Sequence, residues 1–173
     1  ATAGGVYPFP LIEDGDFDIP SVFMKDTEGH RLLPLEGKEI ELISNAKRIP
    51  STAYNIIAVK NPEIQQKIVI SAHIDTKIGT PGAIDNATGV ATILLVASMI
   101  KDITSKYQIE LAFFNGEDYY AAPGQIKYML QNHGKFKNII LNINIDGAAY
   151  NEGPSSFSPF DLPENIYKTL HDI

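Results

Sequence analysis

The chain has 173 residues, of which 44% are hydrophobic and 20% are charged, the composition of a globular domain rather than of a disordered or fibrous protein. Its formal net charge of −7 argues against nucleic acid as the main partner, because surfaces that bind nucleic acid need an excess of lysine and arginine. The absence of cysteine excludes disulfides and thiolate metal ligands. The apolar run at residues 90–100 is too short to cross a bilayer, so we expect no membrane span in this chain.

Residues 1–50 differ in composition from the rest of the chain. Glycine, proline and acidic residues recur there between short apolar pieces, and residues 39–43 alternate in the manner of a half-buried strand. We therefore predict a β-rich segment at 1–50 and a second unit at 51–173, with the boundary near Pro50.

From residue 51 onward, strand patterns alternate with helix patterns. We predict strands at 54–59, 67–72, 108–114 and 137–145. We predict helices at 89–101, 124–132 and 163–172. This alternation indicates an α/β fold with a mostly parallel (mixed) sheet and helices on both faces.

Polar side chains gather where the predicted strands end. His73 and Asp75 follow one strand, Glu117 and Asp118 follow the next, and Asp146 follows the last. Because ligands bind at the carboxyl ends of strands in open α/β sheets, we expect these side chains to share one rim. Asp85 precedes the predicted helix at 89–101 and would enter the same rim. Imidazole and carboxylates together suit a divalent metal such as zinc.

Each of these residues also has a simpler interpretation. A single histidine at a strand end is usually structural, Asp85-Asn86 could cap the following helix, and Asp146-Gly147 could be an ordinary turn. Taken together, however, several carboxylates at one edge need a cation to offset their charge.

Four segments carry a resemblance to a known family. They are SAHIDT at 71–76, GAIDNATGVATILLVA at 82–97, FFNGEDYYAAPGQIKYM at 113–129 and NINIDGAAY at 142–150. In this order and at these spacings, residues 54–150 resemble the di-zinc aminopeptidases. That superfamily includes aminopeptidase Y, aminopeptidase S, glutamate carboxypeptidase and glutaminyl cyclase.

The resemblance implies a role for each site residue and two Zn²⁺ ions in an intact site. The implied ligands are His73 and Asp146 for one zinc, Asp118 for the second, and Asp85 as the bridge between them. Glu117 would be the general base.

The resemblance also implies that Asp75 orients His73, and that the peptide bond between Asp85 and Asn86 is cis.

The activity implied is that of a zinc-dependent exopeptidase, an aminopeptidase that hydrolyses the N-terminal bonds of peptides or proteins. Two alternatives remain open: a non-catalytic interaction module on the same fold, and a single-zinc enzyme of the glutaminyl cyclase type. A secreted or cell-envelope location is slightly favoured by the resemblance.

The chain departs from the family pattern in three respects, one of which is that the usual Gly-Leu-x-Gly-Ser after the acidic pair is replaced by Tyr-Tyr-Ala-Ala-Pro-Gly at residues 119–124. The family more often has Glu-Glu where this chain has Glu117-Asp118, and its last zinc ligand is a histidine far downstream. Only His133 and His171 follow Asp118, and neither lies in the sequence context of the family's zinc ligand. We therefore expect this chain to be a fragment of a longer enzyme, with weak or absent activity of its own. Residues 18–30 resemble the end of a protease-associated domain, which agrees with that expectation.

Overall fold

The computed structural model describes residues 24–43, 45, 49–77, 79–118, 122–149, 151 and 156–171. The short helix α1 (Asp26–Gly29) runs into a 3₁₀ helix, His30–Leu35, and most of the side chains in both are exposed. The strand predicted at 39–43 is wrong: this stretch is irregular, and Ile43 is 72% exposed. A strand needs a neighbour for its backbone groups, and none of the described strands pairs with these residues. Residues 1–23, 44 and 46–48 of the predicted β-rich segment lie outside the described residues, and the boundary near Pro50 stays a prediction.

Four strands form one mixed sheet. They are β1 (Ile56–Lys60), β2 (Lys67–His73), β3 (Gln108–Phe114) and β4 (Ile139–Asn144), in the order β1-β3-β2-β4. Strand β2 pairs in parallel with both β3 and β4, while β1 is antiparallel to β3. The carboxyl ends of β2, β3 and β4 therefore meet at one edge, as predicted.

Helices lie against both faces of this sheet, which confirms the α/β prediction. Helix α2 (Thr88–Ile100) places Ile93 against one face, where it packs with alternate residues of β2 and β3: Ala72, Leu111 and Phe113. Helix α3 (Pro123–Gln131) places Tyr128 against the other face, where it packs with Val69, Ala112 and Phe114. The two-residue alternation of the strands thus divides the core into two layers.

The remaining helix, α4 (Glu164–His171), follows the sheet in the chain. The bounds predicted for the elements after residue 51 differ from the observed ones by two residues at most.

One helical run, Ala83–Ile100, has the length and hydropathy of a membrane span. Its backbone is not helical at Asp85 and Asn86, and its α2 part packs on the sheet. The core helix of a globular domain has the same composition, so this run is weak evidence for a span.

A buried ion pair joins β2 to β3 on the α3 face. Lys67 Nζ lies 2.9 Å from Glu110 Oε2 and donates a second hydrogen bond to Asn132 Oδ1, also at 2.9 Å. The hydroxyl of Tyr128 donates to the other Glu110 oxygen, Oε1. Burial, together with this bond, raises the pKa of Tyr128 above its usual value, so its hydroxyl stays protonated. Both Glu110 oxygens are therefore satisfied, and the network ties α3 to the two central strands.

Replacing Lys67 with methionine should lower the free energy of unfolding by about 3 kcal/mol, because it leaves the buried Glu110 carboxylate without its counter-ion. Chemical denaturation of the full-length protein measures this change. Lys106→Met is the control, since Lys106 is exposed in the turn before β3 and its loss should cost under about 0.5 kcal/mol. Equal losses in the two variants would contradict the role given to the buried pair.

Candidate metal centre

The predicted site residues lie at the carboxyl edge of the parallel strands. His73 is the last residue of β2, Asp146 comes two residues after β4, and Glu117 and Asp118 lie in the loop that follows β3. Asp85 reaches the same edge from the turn before α2. The structure therefore brings together residues that are 73 positions apart in the chain, from His73 to Asp146.

Carboxylates surround the Nε2 atom of His73. The nearest oxygens are Asp85 Oδ1 at 2.9 Å, Asp146 Oδ1 at 3.4 Å and Glu117 Oε2 at 3.9 Å. A ligand atom of Asp118 also lies within 4.8 Å of those of His73 and Asp85. The imidazole is only 3% exposed, whereas the acidic side chains around Nε2 are partly open to solvent. A small ion at Nε2 would thus be bound by the buried imidazole on one side and remain accessible to solvent on the side of the carboxylates.

The hydrogen bonding of His73 leaves Nε2 free to bind such an ion. Its Nδ1–H donates to the backbone carbonyl of Asp75 at 3.0 Å, and a carbonyl oxygen can only accept. The proton of the neutral ring is therefore on Nδ1 and the lone pair is on Nε2. Nε2 is buried and has no hydrogen-bond partner among the described residues. An orphaned imidazole nitrogen facing carboxylate oxygens fits zinc, which binds both kinds of ligand.

The pKa values of three side chains in the site are raised by their surroundings. Burial lowers the pKa of His73, but the facing carboxylates of Asp146, Glu117 and Asp85 outweigh burial and raise it. Burial raises the pKa of Glu117, and the nearby Asp146 and Asp118 raise it further against the opposing effect of His73. The pKa of Asp118 is raised by burial and then by Asp85. These side chains therefore repel one another unless a proton or a cation lies among them.

The carboxylate of Asp75 does not orient His73 through a hydrogen bond. Its Oδ1 is 3.7 Å from Nδ1, which is too long, and the backbone carbonyl of Asp75 makes the orienting contact instead. The carboxylate accepts the backbone N–H of Glu117 at 3.1 Å and that of Asp118 at 2.9 Å. Asp75 thus fixes the histidine with its main chain and the acidic loop with its side chain.

Asn86 connects the Asp85 turn to the end of β4. Its Oδ1 accepts the N–H of Gly89, so it caps α2 as the simpler interpretation predicted. Its Nδ2 donates to the carbonyl of Ile145 at 2.9 Å, next to Asp146. The peptide bond between Asp85 and Asn86 is cis, as the resemblance implied. Capping by Asn86 and the approach of Asp85 to His73 are therefore compatible.

Polar residues that were not among the predicted site residues support this edge. Ser71 Oγ donates to Asn144 Oδ1 at 2.9 Å beneath the site, and Asn55 contacts the loop that carries Glu117. Both Ser71 and Asn144 line a cavity of about 330 Å³ that opens beside His73 between the sheet and α3. Each is a polar residue in or beside a mostly apolar strand, and that position is the only signal the sequence offered.

The downstream histidine of the family pattern has no counterpart among the described side chains near Asp118. His30 and His133 are exposed and do not belong to the group of converging ligand atoms. The side chain of His171 lies outside the described residues.

The chain is similar to known aminopeptidases and glutaminyl cyclases. The chain is 23% identical over 146 residues to aminopeptidase YwaD of Bacillus subtilis, a match that covers 82% of this chain and 31% of that protein. It is 26% identical over 140 residues to a glutaminyl-peptide cyclotransferase of Drosophila melanogaster, covering 69% of this chain and 39% of the other. The solved glutaminyl cyclase of Porphyromonas gingivalis superposes with a TM-score of 0.51 at 25% identity, covering 56% of this chain and 38% of that one.

The chain spans between 31% and 39% of the length of the two curated relatives. The family model described as peptidase family M28 matches residues 55–171, which include every predicted site residue. The chain belongs to peptidase family M28.

Proposed function

We propose that the protein is a zinc-dependent aminopeptidase in which Glu117 is the general base. One observation carries the proposal: the buried Nε2 of His73 has no hydrogen-bond partner and faces three carboxylates, one of which lies farther from it than the other two. That carboxylate is Glu117, at 3.9 Å. The similarity to an aminopeptidase from Bacillus subtilis supports the same chemistry.

The ligands would divide between two metal ions. His73 and Asp146 would hold one zinc and Asp118 the other, and Asp85 lies close enough to both groups to bridge them. Bound zinc polarises a scissile carbonyl and makes a water molecule more acidic. Burial raises the pKa values of Glu117 and Asp118, and cation binding would relieve the repulsion from neighbouring carboxylates that raises them further.

Glu117 performs the proton transfers in this proposal. Its side chain is partly exposed at the rim, so it can reach an attacking water molecule, and its raised pKa brings it closer to the range in which a carboxyl both takes and returns a proton. It takes the proton from the water and delivers it to the leaving amine. Asp75 keeps the backbone of Glu117 in place during both transfers.

A second candidate is a cyclase that acts on N-terminal glutamine. The superposition on the Porphyromonas gingivalis glutaminyl cyclase and the match to the Drosophila melanogaster cyclotransferase favour it. In such a reaction the α-amine attacks the side-chain amide carbon and ammonia leaves, so one carboxylate must again take a proton and return it. The two functions differ in their products. We expect the full-length protein to release the arylamine from an aminoacyl-anilide, whereas ammonia release from a glutaminyl peptide alone would favour the cyclase.

Glu117→Gln should retain zinc and lose about 10²- to 10⁴-fold in kcat, because the amide keeps the shape of the side chain but cannot accept the proton. Anilide hydrolysis by the full-length protein measures this loss, with zinc content determined in parallel. Glu63→Gln is the matched control, since Glu63 is exposed in the turn between β1 and β2. Undiminished turnover in Glu117→Gln would exclude the general-base role. If zinc-loaded wild-type protein catalysed neither anilide hydrolysis nor cyclisation of N-terminal glutamine, the interaction module would be favoured.

Elemental analysis should find two zinc ions per full-length wild-type molecule and about one in Asp118→Ala. Asp85→Ala should retain fewer than one, because both ions would lose their shared ligand. Asp102→Ala, which removes an exposed carboxylate after α2, should retain two. A single zinc in wild type that persists unchanged in Asp118→Ala would contradict the two-metal arrangement.

A further inference from the structure

The loop that carries Glu117 and Asp118 is closed at its base by the side chain of Asn55. Asn55 directly precedes β1, and its Oδ1 accepts the backbone N–H of Asn115 at 3.0 Å. Its Nδ2 donates to the backbone carbonyl of Gly124 at 2.8 Å. A third bond, from the N–H of Gly124 to the carbonyl of Asn115 at 3.1 Å, joins the two ends of the loop directly. One side chain thus holds the residue after β3 and the first turn of α3 at the same time.

The packing at this closure leaves little freedom. A Cβ atom on Gly124 would overlap both the Asn115 carbonyl and Asn55 Oδ1. Gly116 has a φ of +89°, a conformation that glycine adopts without strain, and a Cβ there would lie 2.6 Å from Pro123 Cγ. The closure is therefore packed so closely that neither glycine position has room for a side chain.

Asn55 and Asp75 hold the loop from opposite sides. Asn55 accepts the N–H of Asn115, and the Asp75 carboxylate accepts those of Glu117 and Asp118. Gly116 alone separates the two points of attachment. A displacement of the Asn115 backbone would therefore either move Glu117, which is only two residues away, or break the bonds to Asp75.

The contact requires an amide. The position needs an acceptor for one backbone N–H and a donor for one backbone carbonyl, and of the short side chains asparagine offers both in a single plane. Aspartate would keep the acceptor but place a second oxygen against the Gly124 carbonyl. Alanine would offer neither.

We propose that Asn55 is a positioning residue that sets the placement of Glu117 and Asp118 without touching substrate or metal. This inference rests on the proposed roles of Glu117 and Asp118 for its kinetic consequence, but its structural consequence is independent of them. It assigns a role in the site to a residue at the start of β1, the one strand that runs antiparallel to its neighbour and contributes none of the predicted site residues.

The test compares Asn55→Ala with Asn61→Ala in the full-length protein. Asn61 lies at the other end of β1, and its Nδ2 donates to the carbonyls of Ser105 and Tyr107, each at 3.2 Å, in a turn that contains no site residue. Its φ of +55° makes the alanine substitution costly, so Asn61→Ala controls for a general loss of stability. Both variants are assayed well below their unfolding temperatures.

For Asn55→Ala we expect kcat for anilide hydrolysis to fall on the order of 10- to 100-fold with KM changed less than about twofold. We also expect faster hydrogen–deuterium exchange in the peptide spanning 115–118 of the metal-free protein. Asn61→Ala should change neither quantity. Asn55→Asp, which keeps the acceptor for Asn115 but repels the Gly124 carbonyl, should also lower kcat and speed the exchange at 115–118, and it supplies the comparison with wild type if the alanine variant does not fold.

Unchanged exchange at 115–118 in Asn55→Ala, or the same loss of kcat in Asn61→Ala, would overturn the proposal. If wild type hydrolyses no anilide, the proposed function fails, while the exchange of the loop still decides the role of Asn55.

Discussion

The convergence of several carboxylates on one buried histidine nitrogen is the constraint on which this edge of the molecule depends. Three acidic side chains lie within 4 Å of His73 Nε2, and a fourth, Asp118, belongs to the same group. Carboxylates gathered around one atom repel one another, and this repulsion adds to burial, the larger cause, in raising the pKa values of Glu117 and Asp118. The fold must therefore hold the acidic loops together against their own charge until a cation binds.

Side chains that bond to the backbone of a neighbouring loop supply this restraint. Asp75 joins the β2 loop to the β3 loop, and Asn86 joins the turn before α2 to the end of β4. Asn55 joins β1 to both ends of the β3 loop. Each bond ends on a main-chain group, so it fixes where a loop runs while the functional side chains stay free to bind an ion or a proton. Burial of these polar groups is tolerated because they are paired.

The sequence predicted what depends on local pattern. Strand β3 was predicted with its exact observed bounds, Gln108–Phe114, because its apolar run ends at a glycine-containing loop. The rim at the strand ends followed from the parallel pairing, which the alternation of strands and helices indicated. The prediction of a strand at 39–43 failed because alternation within a segment says nothing about whether a neighbouring strand exists to pair with it. The bond from Asn55 to the β3 loop was not predictable for a similar reason, since Asn55 and Asn115 are 60 positions apart and Asn55 lies in none of the four segments that carry the resemblance.

Asp118, which we propose as a zinc ligand, shows how these bonds to the loop backbone and the site depend on each other. Aspartate reaches one methylene less than the glutamate that the family more often carries, so its backbone must lie nearer to the metal for its carboxylate to serve. The Asp75 carboxylate accepts the N–H of Asp118 itself at 2.9 Å, the shorter of its two bonds to this loop. The same Asp75 orients His73 through its carbonyl, so one residue fixes the distance between the histidine and the acidic loop. With that distance fixed, the ligand atoms of Asp118, Asp85 and His73 still come within 4.8 Å of one another, and the shorter side chain is compatible with the site.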